Sequence, residues 1–210
     1  MKEYHKIQTV YKRNLETGAL LEGEWTLPEF EFLQGNQWVW TEKIDGTNIR
    51  IILDEVALII KGKSDKAQTP TFLVDRLQEI FSPKNMIEAF PELTQVCLYG
   101  EGYGAKIQKG GNYIPDGTNF ILFDCRIGHW WLTRDSLVQL AEHFSIPIVP
   151  IIGEGTLAQG IEHCRKGFKS VIAHNTEYDA EGLVLKPKVE LFNRQGRRVI
   201  TKLKYKDFKK

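Results

Sequence analysis

The apolar positions of this chain fall into short runs whose spacing changes several times. Residues 38–42, 48–53 and 56–61 are three such runs, with Asp54-Glu55 as the turn between the last two; together they predict a β-meander. From residue 70 the spacing becomes helical. Phe72, Leu73, Leu77, Ile80 and Phe81 form one apolar face, Ser82-Pro83 ends that helix, and 85–90 gives a short second helix before Pro91. Val96-Cys97-Leu98-Tyr99 reads as a strand again. It is expected to end at Gly100-Glu101-Gly102-Tyr103-Gly104, which would present an acid at a strand end between glycines. Residues 119–125 form a strongly apolar strand, and Trp130-Trp131-Leu132 is placed to pair with it across Gly128. Thr133 caps a helix over 134–144, with Leu137, Leu140, Ala141 and Phe144 inward. A further helix over 156–166 puts Leu157, Ile161 and Cys164 on one face and Gly167 at its C-cap. Residues 181–187 run from an acid through an apolar strand to a lysine. Residues 198–205 alternate, so Lys202 and Lys204 share one face of a strand. Residues 1–37, punctuated by Gly18, Gly23, Pro28 and Gly35, predict mostly loop with short strands. The fold class is α+β, with antiparallel β-sheets flanked by helices.

Composition changes this picture in one respect only. At 210 residues, 42% hydrophobic and 26% charged, the chain reads as a single globular domain. No apolar run approaches the ~20 residues of a membrane span, so no membrane partner is expected. The first residues lack the apolar core of a signal peptide, and the three cysteines, Cys97, Cys125 and Cys164, are far apart and odd in number. Both features point to a reduced compartment and a cytoplasmic protein; a monomer is expected, although neither feature bears on oligomeric state. The five histidines show no zinc-ligand spacing. Charge, however, is uneven: residues 181–210 hold ten Lys/Arg against three acids, a local +7 in a chain of net +1. A basic C-terminal segment on an acidic body suits a polyanionic partner.

The candidate chemistry centres on Lys43-Ile44-Asp45-Gly46, at the lip of a strand. A lysine amine can attack an electrophile, the Asp45 carboxylate can help hold a divalent metal, and Gly46 permits a tight backbone approach. At neutral pH a free lysine, with a reference pKa of ~10.4, is mostly protonated and cannot attack. Neighbouring cations such as Lys202 and Lys204, or a hydrated Mg²⁺, disfavour a third positive charge. Glu101 and Glu181 supply acids at strand ends. Taken singly, each of these residues has an ordinary structural explanation: a turn at Asp45-Gly46, a solvated strand face at Lys202 and Lys204, a core ring at Phe123. Together they suit phosphoryl or nucleotidyl transfer, in which carboxylates hold Mg²⁺, lysines neutralise phosphates and an aromatic stacks on a base.

In this combination the sequence resembles the covalent nucleotidyltransferase superfamily of ATP-dependent DNA ligases, RNA ligases and mRNA capping enzymes. It is most similar to the phage-type RNA ligases that seal nicks in duplex RNA. Six motifs carry the resemblance, in the family's order: Lys43-Ile44-Asp45-Gly46-Thr47-Asn48, Lys61-Gly62-Lys63-Ser64-Asp65, Gly100-Glu101, Phe123-Asp124, Glu181-Gly182-Leu183-Val184-Leu185-Lys186 and Lys202-Leu203-Lys204. The resemblance implies an ATP-grasp-like ligase adenylation domain using ATP and Mg²⁺ or Mn²⁺. Lys43 would become lysyl-AMP. Phe123 would stack on adenine, Glu101 would bind ribose or a metal-bound water, and Lys202 and Lys204 would contact the α-phosphate. Glu42, Asn48, Lys63, Glu101 and Glu181 complete the implied nucleotide site, with Asp45, Glu101 and Glu181 as metal carboxylates. Lys63 stands where the family usually has an arginine, which removes a bidentate fork.

The implied activity joins 5′-phosphate and 3′-hydroxyl ends of nicked or broken RNA, or of an RNA/DNA hybrid, as in RNA repair. The alternatives are a DNA ligase core, a GTP-using capping guanylyltransferase, or a nucleic-acid-binding module without catalysis. DNA ligases and capping enzymes continue after the last lysine motif into an OB-type domain and phage-type RNA ligases into a helical one. Here only residues 205–210 follow, so residues 1–210 are expected to be one adenylylation domain without either.

Overall fold

A computed structural model describes residues 3–54, 57–91 and 95–209. The chain leaves one compact unit, builds a second, and returns. It begins with β1 (Gln8–Thr9), β2 (Tyr11–Arg13), β3 (Leu20–Trp25), α1 (Pro28–Phe32) and β4 (Trp38–Lys43). It then forms β5 (Thr47–Leu53), β6 (Leu58–Gly62), α2 (Thr71–Ile80), α3 (Pro83–Ala89), β7 (Val96–Gly104), β8 (Thr118–Ile127), β9 (Trp130–Trp131) and α4 (Arg134–His143). The return supplies β10 (Ile151–Gly155), α5 (Leu157–Lys166), β11 (Gly182–Pro187) and β12 (Thr201–Lys204). The central unit comprises Met1–Tyr4 and Asp45–Val149; the terminal unit comprises His5–Ile44 and Pro150–Lys210.

The terminal unit is built on a five-stranded sheet in the order β1-β12-β11-β4-β10, with β2 and β3 as a separate hairpin. All its pairings are antiparallel except the short β1/β12 pair. One face of this sheet is dry. Trp38, Trp40, Leu183, Leu185 and Leu203 pack there with Leu157, Ile161 and Cys164 of α5. The helix approaches closely because its middle residue is Gly160. A Cβ there would meet Leu185 Cδ2 at 2.5 Å and the Trp40 ring at 2.9 Å. Thr156 and Gln159 start α5 with a reciprocal capping box, and Gly167 ends it at φ +75°.

The central unit is a second five-stranded sheet, β6-β5-β7-β8-β9, antiparallel throughout. One face buries Ile49, Ile51, Leu98, Phe120 and Leu122 under Leu73 and Leu77 of α2, Met86 of α3 and Leu137 of α4. Thr133 caps α4 as its position predicts, accepting from the Ser136 amide.

Several expectations change. Residues 38–62 are not a meander. β4 has both edges taken, by β11 and β10, while β5 pairs with β6 and β7 in the other sheet. Only the second and third predicted strands form a hairpin, and Glu55 and Val56 of that prediction lie outside the described residues. Gly100–Gly104 does not end the strand after Tyr99 but continues it, so Glu101 lies within β7. Phe72 is 40% exposed and leaves the α2 core face to Leu73, Leu77 and Ile80. The short α1, which opens on Pro28, went unread among the glycine punctuation.

Candidate active site

The terminal sheet explains why Lys43 is special. β4 alternates buried and half-buried positions, with Trp38, Trp40 and Glu42 on the dry side. Lys43 therefore points to the other side. Gly182 pairs with Lys43 on one flank and with Lys204 on the other, so the two lysines lie in one row across three strands. In the next row Val184 pairs with Thr41 and Lys202, and in the one after that Lys186 pairs with Val39. Four lysines thus share one sheet face. Gly182 has no room for a side chain, because a Cβ would run into the Leu203 carbonyl and lie 2.8 Å from Lys204 Cα.

Glu181, just before β11, ties this row together. Lys43 Nζ donates to its Oε2 at 2.5 Å, and Lys204 Nζ lies 2.7 Å from its Oε1. Side-chain exposures of 21%, 28% and 13% for Lys43, Lys204 and Glu181 leave the trio reachable from solvent. Burial pushes the Glu181 carboxyl up, but the Lys43 charge and the hydrogen bonds from Lys204 and Lys43 outweigh it, so the net direction is downward. Glu181 is an ionised anchor for two ammonium groups.

Glu42 behaves differently although it is Lys43's neighbour. Its side chain is buried on the dry side, accepting from Ser170 Oγ at 2.5 Å and from the Val171 amide at 2.9 Å. Burial raises its carboxyl, against the lowering effect of those two hydrogen bonds. Its role in the structure is to fasten the 170–171 segment under β4. Nothing in sequence pointed to Ser170, which sits 128 residues away.

The central unit holds the other sequence candidates. Asn48 of β5 is paired with Glu101 of β7, so the two side chains share a sheet face. The Asn48 side-chain oxygen is buried, with no hydrogen-bond partner among the described residues. Gly46 lies so close to β7 that a Cβ would meet the Gly102 carbonyl and come within 2.8 Å of Glu101 Cγ. The glycine serves close approach there, as its motif suggests, and the Asp45 amide donates to Tyr113 Oη at 3.1 Å. A register shift opposite Tyr99 and Gly100 makes Phe123 the extra residue of a bulge, between Leu122 and Asp124. The half-buried Phe123 ring packs edge-on against Tyr4, 5.2 Å between centroids, and Tyr4 Oη donates to Asp124 at 2.8 Å.

Lys63 is exposed at the end of β6. The cation that organises its segment is instead Arg50. This fully buried guanidinium donates from Nε to the Gly62 carbonyl at 2.9 Å and from Nη2 to Asp65 at 2.8 Å. Hydrogen bonds from Arg50 and then Lys61 hold the Asp65 carboxyl below its ordinary range. Arg50 was legible only as the one charge in an otherwise apolar strand.

Among the described residues, no group of three or more His, Cys, Asp and Glu is arranged to hold a metal ion. Neither is any helix long and apolar enough to cross a membrane.

The model of the RNA ligase family matches residues 36–204. The chain belongs to the RNA ligase family. No curated protein matches it in sequence. Among solved structures it is similar to Naegleria gruberi RNA ligase with PPi, at 21% identity and TM-score 0.65, covering 98% of this chain and 58% of that one. A mutant of the same ligase with ATP and Mn gives 22% identity and TM-score 0.65, covering 97% and 56%. A further mutant, with AMP and Mn, gives 18% and 0.63, covering 98% and 58%. At these identities the likeness establishes the fold, an RNA-ligase-type α+β architecture. The chain spans a little over half the length of the solved structures it matches.

Proposed function

We propose that this RNA ligase family member is an ATP-dependent polynucleotide ligase that acts on RNA through a lysyl-AMP intermediate at Lys43. The observation that carries the reading is the row Lys43–Gly182–Lys204, bridged by Glu181 and followed by Lys202. A lone exposed lysine would need no such setting. Here Glu181 fixes where Nζ sits, and Lys202 and Lys204 supply positive charge on the same face for an α-phosphate.

In the reaction Lys43, an ammonium in its pair with Glu181, first yields a proton to water, and the neutral amine then attacks the α-phosphorus of ATP. The N–P bond forms as the bond to pyrophosphate breaks, and the amine sheds a second proton. The adenylate then passes to a 5′-phosphate, and a 3′-hydroxyl displaces AMP. Asn48, Glu101 and Phe123 are the nucleotide-recognising side chains in this reading. A buried, unpartnered Asn48 oxygen is suited to a hydroxyl or amino donor of the nucleoside. Glu42 supports the site by positioning, and Lys63 contributes surface charge.

Asp45, Glu101 and Glu181 are the carboxylates proposed for Mg²⁺. With no three-acid cluster among the described residues, one or two carboxylates from Asp45, Glu101 and Glu181 would hold the ion, with water and phosphate oxygens completing its shell. The ion supplies neutralisation of the charge that develops on the phosphates. Residues 1–210 are read as one adenylylation domain of the duplex nick-sealing branch, acting as a monomer on nicked or broken RNA.

The test is incubation with α-labelled ATP and Mg²⁺ followed by denaturing electrophoresis. Label is expected on the wild type and absent from Lys43→Ala. A well-folded wild type that takes no label would sink the proposal. A preference for labelled GTP would replace it with a capping activity, and nicked duplexes with RNA or DNA on each side define the strand preference.

A further inference from the structure

The basic C-terminal segment is only partly neutralised by its own protein. Arg198 is clamped by Glu190 through two bonds of 2.6 Å, Lys188 pairs with Glu154 at 2.6 Å, and Lys204 with Glu181 at 2.7 Å. No ion pair among the described residues involves Arg194 or Arg197, nor Lys6 near the other end of the chain. These three cations line one open groove of about 1000 Å³ within the terminal unit. Two of its walls carry aromatic rings that a folded core would ordinarily claim: Phe32 is 86% exposed and Phe192 is 52% exposed. Glu29 is the one carboxylate of the lining.

The groove is also built rather than incidental. Phe192 and Arg198 face each other across a closed turn. Asn193 accepts from the amides of Gln195 and Arg197 at 3.0 Å and shares a backbone bond with Arg197 at 2.8 Å. Gly196 takes the left-handed conformation, φ +70°, that this turn needs. The clamp on Arg198 and the Asn193 bonds hold the backbone from which Arg194 and Arg197 project, so little ordering is left to a ligand.

We infer that this groove binds the unpaired strand that flanks a break in an RNA substrate, outside the duplex that is sealed, with bases stacked on Phe32 and Phe192 and phosphates on Lys6, Arg194 and Arg197. Unpaired cations spaced among exposed aromatic rings are the two components that single-strand recognition requires: charge tracks the backbone, and π-faces take bases of any sequence. An apolar peptide would leave the cations unmatched, and a duplex would not expose base faces to the rings. The inference rests on the ligase reading for the identity of its ligand, but it concerns residues that take no part in nucleotidyl transfer.

The test uses fluorescence anisotropy with a labelled single-stranded oligoribonucleotide of roughly ten nucleotides, on the intact chain. Arg194→Ala/Arg197→Ala should weaken binding about 10-fold and flatten the slope of log K against log salt by about 1.4. Phe32→Ala/Phe192→Ala should weaken binding at least about 10-fold while leaving the salt slope in place. Dextran sulfate, a polyanion without bases, should feel the arginine changes and not the phenylalanine changes. Wild-type affinity in either double variant overturns the inference. So does a loss of dextran sulfate binding in the phenylalanine variant equal to its loss of RNA binding. Circular dichroism and thermal unfolding confirm that the variants fold, and Arg194→Glu/Arg197→Glu provides a stronger perturbation on the same exposed turn. Lys43 labelling should survive in all of them. If the wild type itself takes no label, the ligase reading fails while the anisotropy series still decides the groove.

Discussion

Glu42 and Glu181 lie against opposite faces of the terminal sheet, and they are satisfied by opposite means. Glu42, on the dry face, receives a hydroxyl and a backbone amide, neutral donors that fasten one segment. Glu181, on the lysine face, receives two ammonium groups. The first arrangement leaves burial dominant and the carboxyl raised; the second overcomes burial and the carboxyl is lowered. Neutral hydrogen bonds suit an acid whose task is to hold structure. Cationic partners suit an acid that must place amines where a phosphate can meet them.

The largest expected effect breaks the lysine face. Lys204→Ala removes half of Glu181's pairing and one of the phosphate-directed charges. Removing a preorganised charge of this kind slows the chemical step by roughly 100-fold or more, read as the rate of Lys43 labelling. A labelling rate within a few-fold of wild type would show that Lys204 is a solvated strand residue. Next is Gly182→Ala. The added methyl must displace the Leu203 carbonyl, which is backbone in the β11/β12 ladder, so we expect about 2–3 kcal/mol of lost stability, measured by urea unfolding. A change below about 0.5 kcal/mol would mean that the row can open without cost.

The smallest effect sharpens the comparison itself. Glu181 has a folded-state pKa below its ordinary 4.5, so its contribution is present above pH 4.5 and is lost as pH falls through the lowered value. Glu42 has a folded-state pKa above 4.5, so its contribution is complete below pH 4.5 and is lost as pH rises through the raised value. The stability difference between wild type and Glu181→Gln should therefore shrink on acidification from neutrality. The difference between wild type and Glu42→Gln should move in wild type's favour over the same range. Unfolding free energies at a series of pH values check both signs. Parallel trends would show that the two acids share one environment.

Much of the site was legible in the chain because its signals are local. The spacing of Lys202 and Lys204 puts them on one face whatever the strand pairs with, whereas the alternation of β4 that turns Glu42 away from Lys43 emerged only from the structure. Thr133, Thr156 and Gly167 mark helix ends through bonds to residues within four positions. The tight approach expected of Gly46 is likewise present, against Glu101 and Gly102.

What the sequence by itself determined, then, was the class of elements, the face shared by Lys202 and Lys204 and the order of motifs that places the chain in its family. Only the tertiary structure decided which strands adjoin. It moved residues 38–43 out of the expected meander to lie between β10 and β11, carried β7 past Glu101, put Arg50 on Asp65 and brought Ser170 under Glu42. The physical reason is range. Side-chain alternation and capping are fixed by bonds a few residues long. Strand register between segments more than a hundred residues apart is chosen by which faces can be buried together, and buried polar groups such as Glu42 and Arg50 then take whichever donors and acceptors that packing delivers.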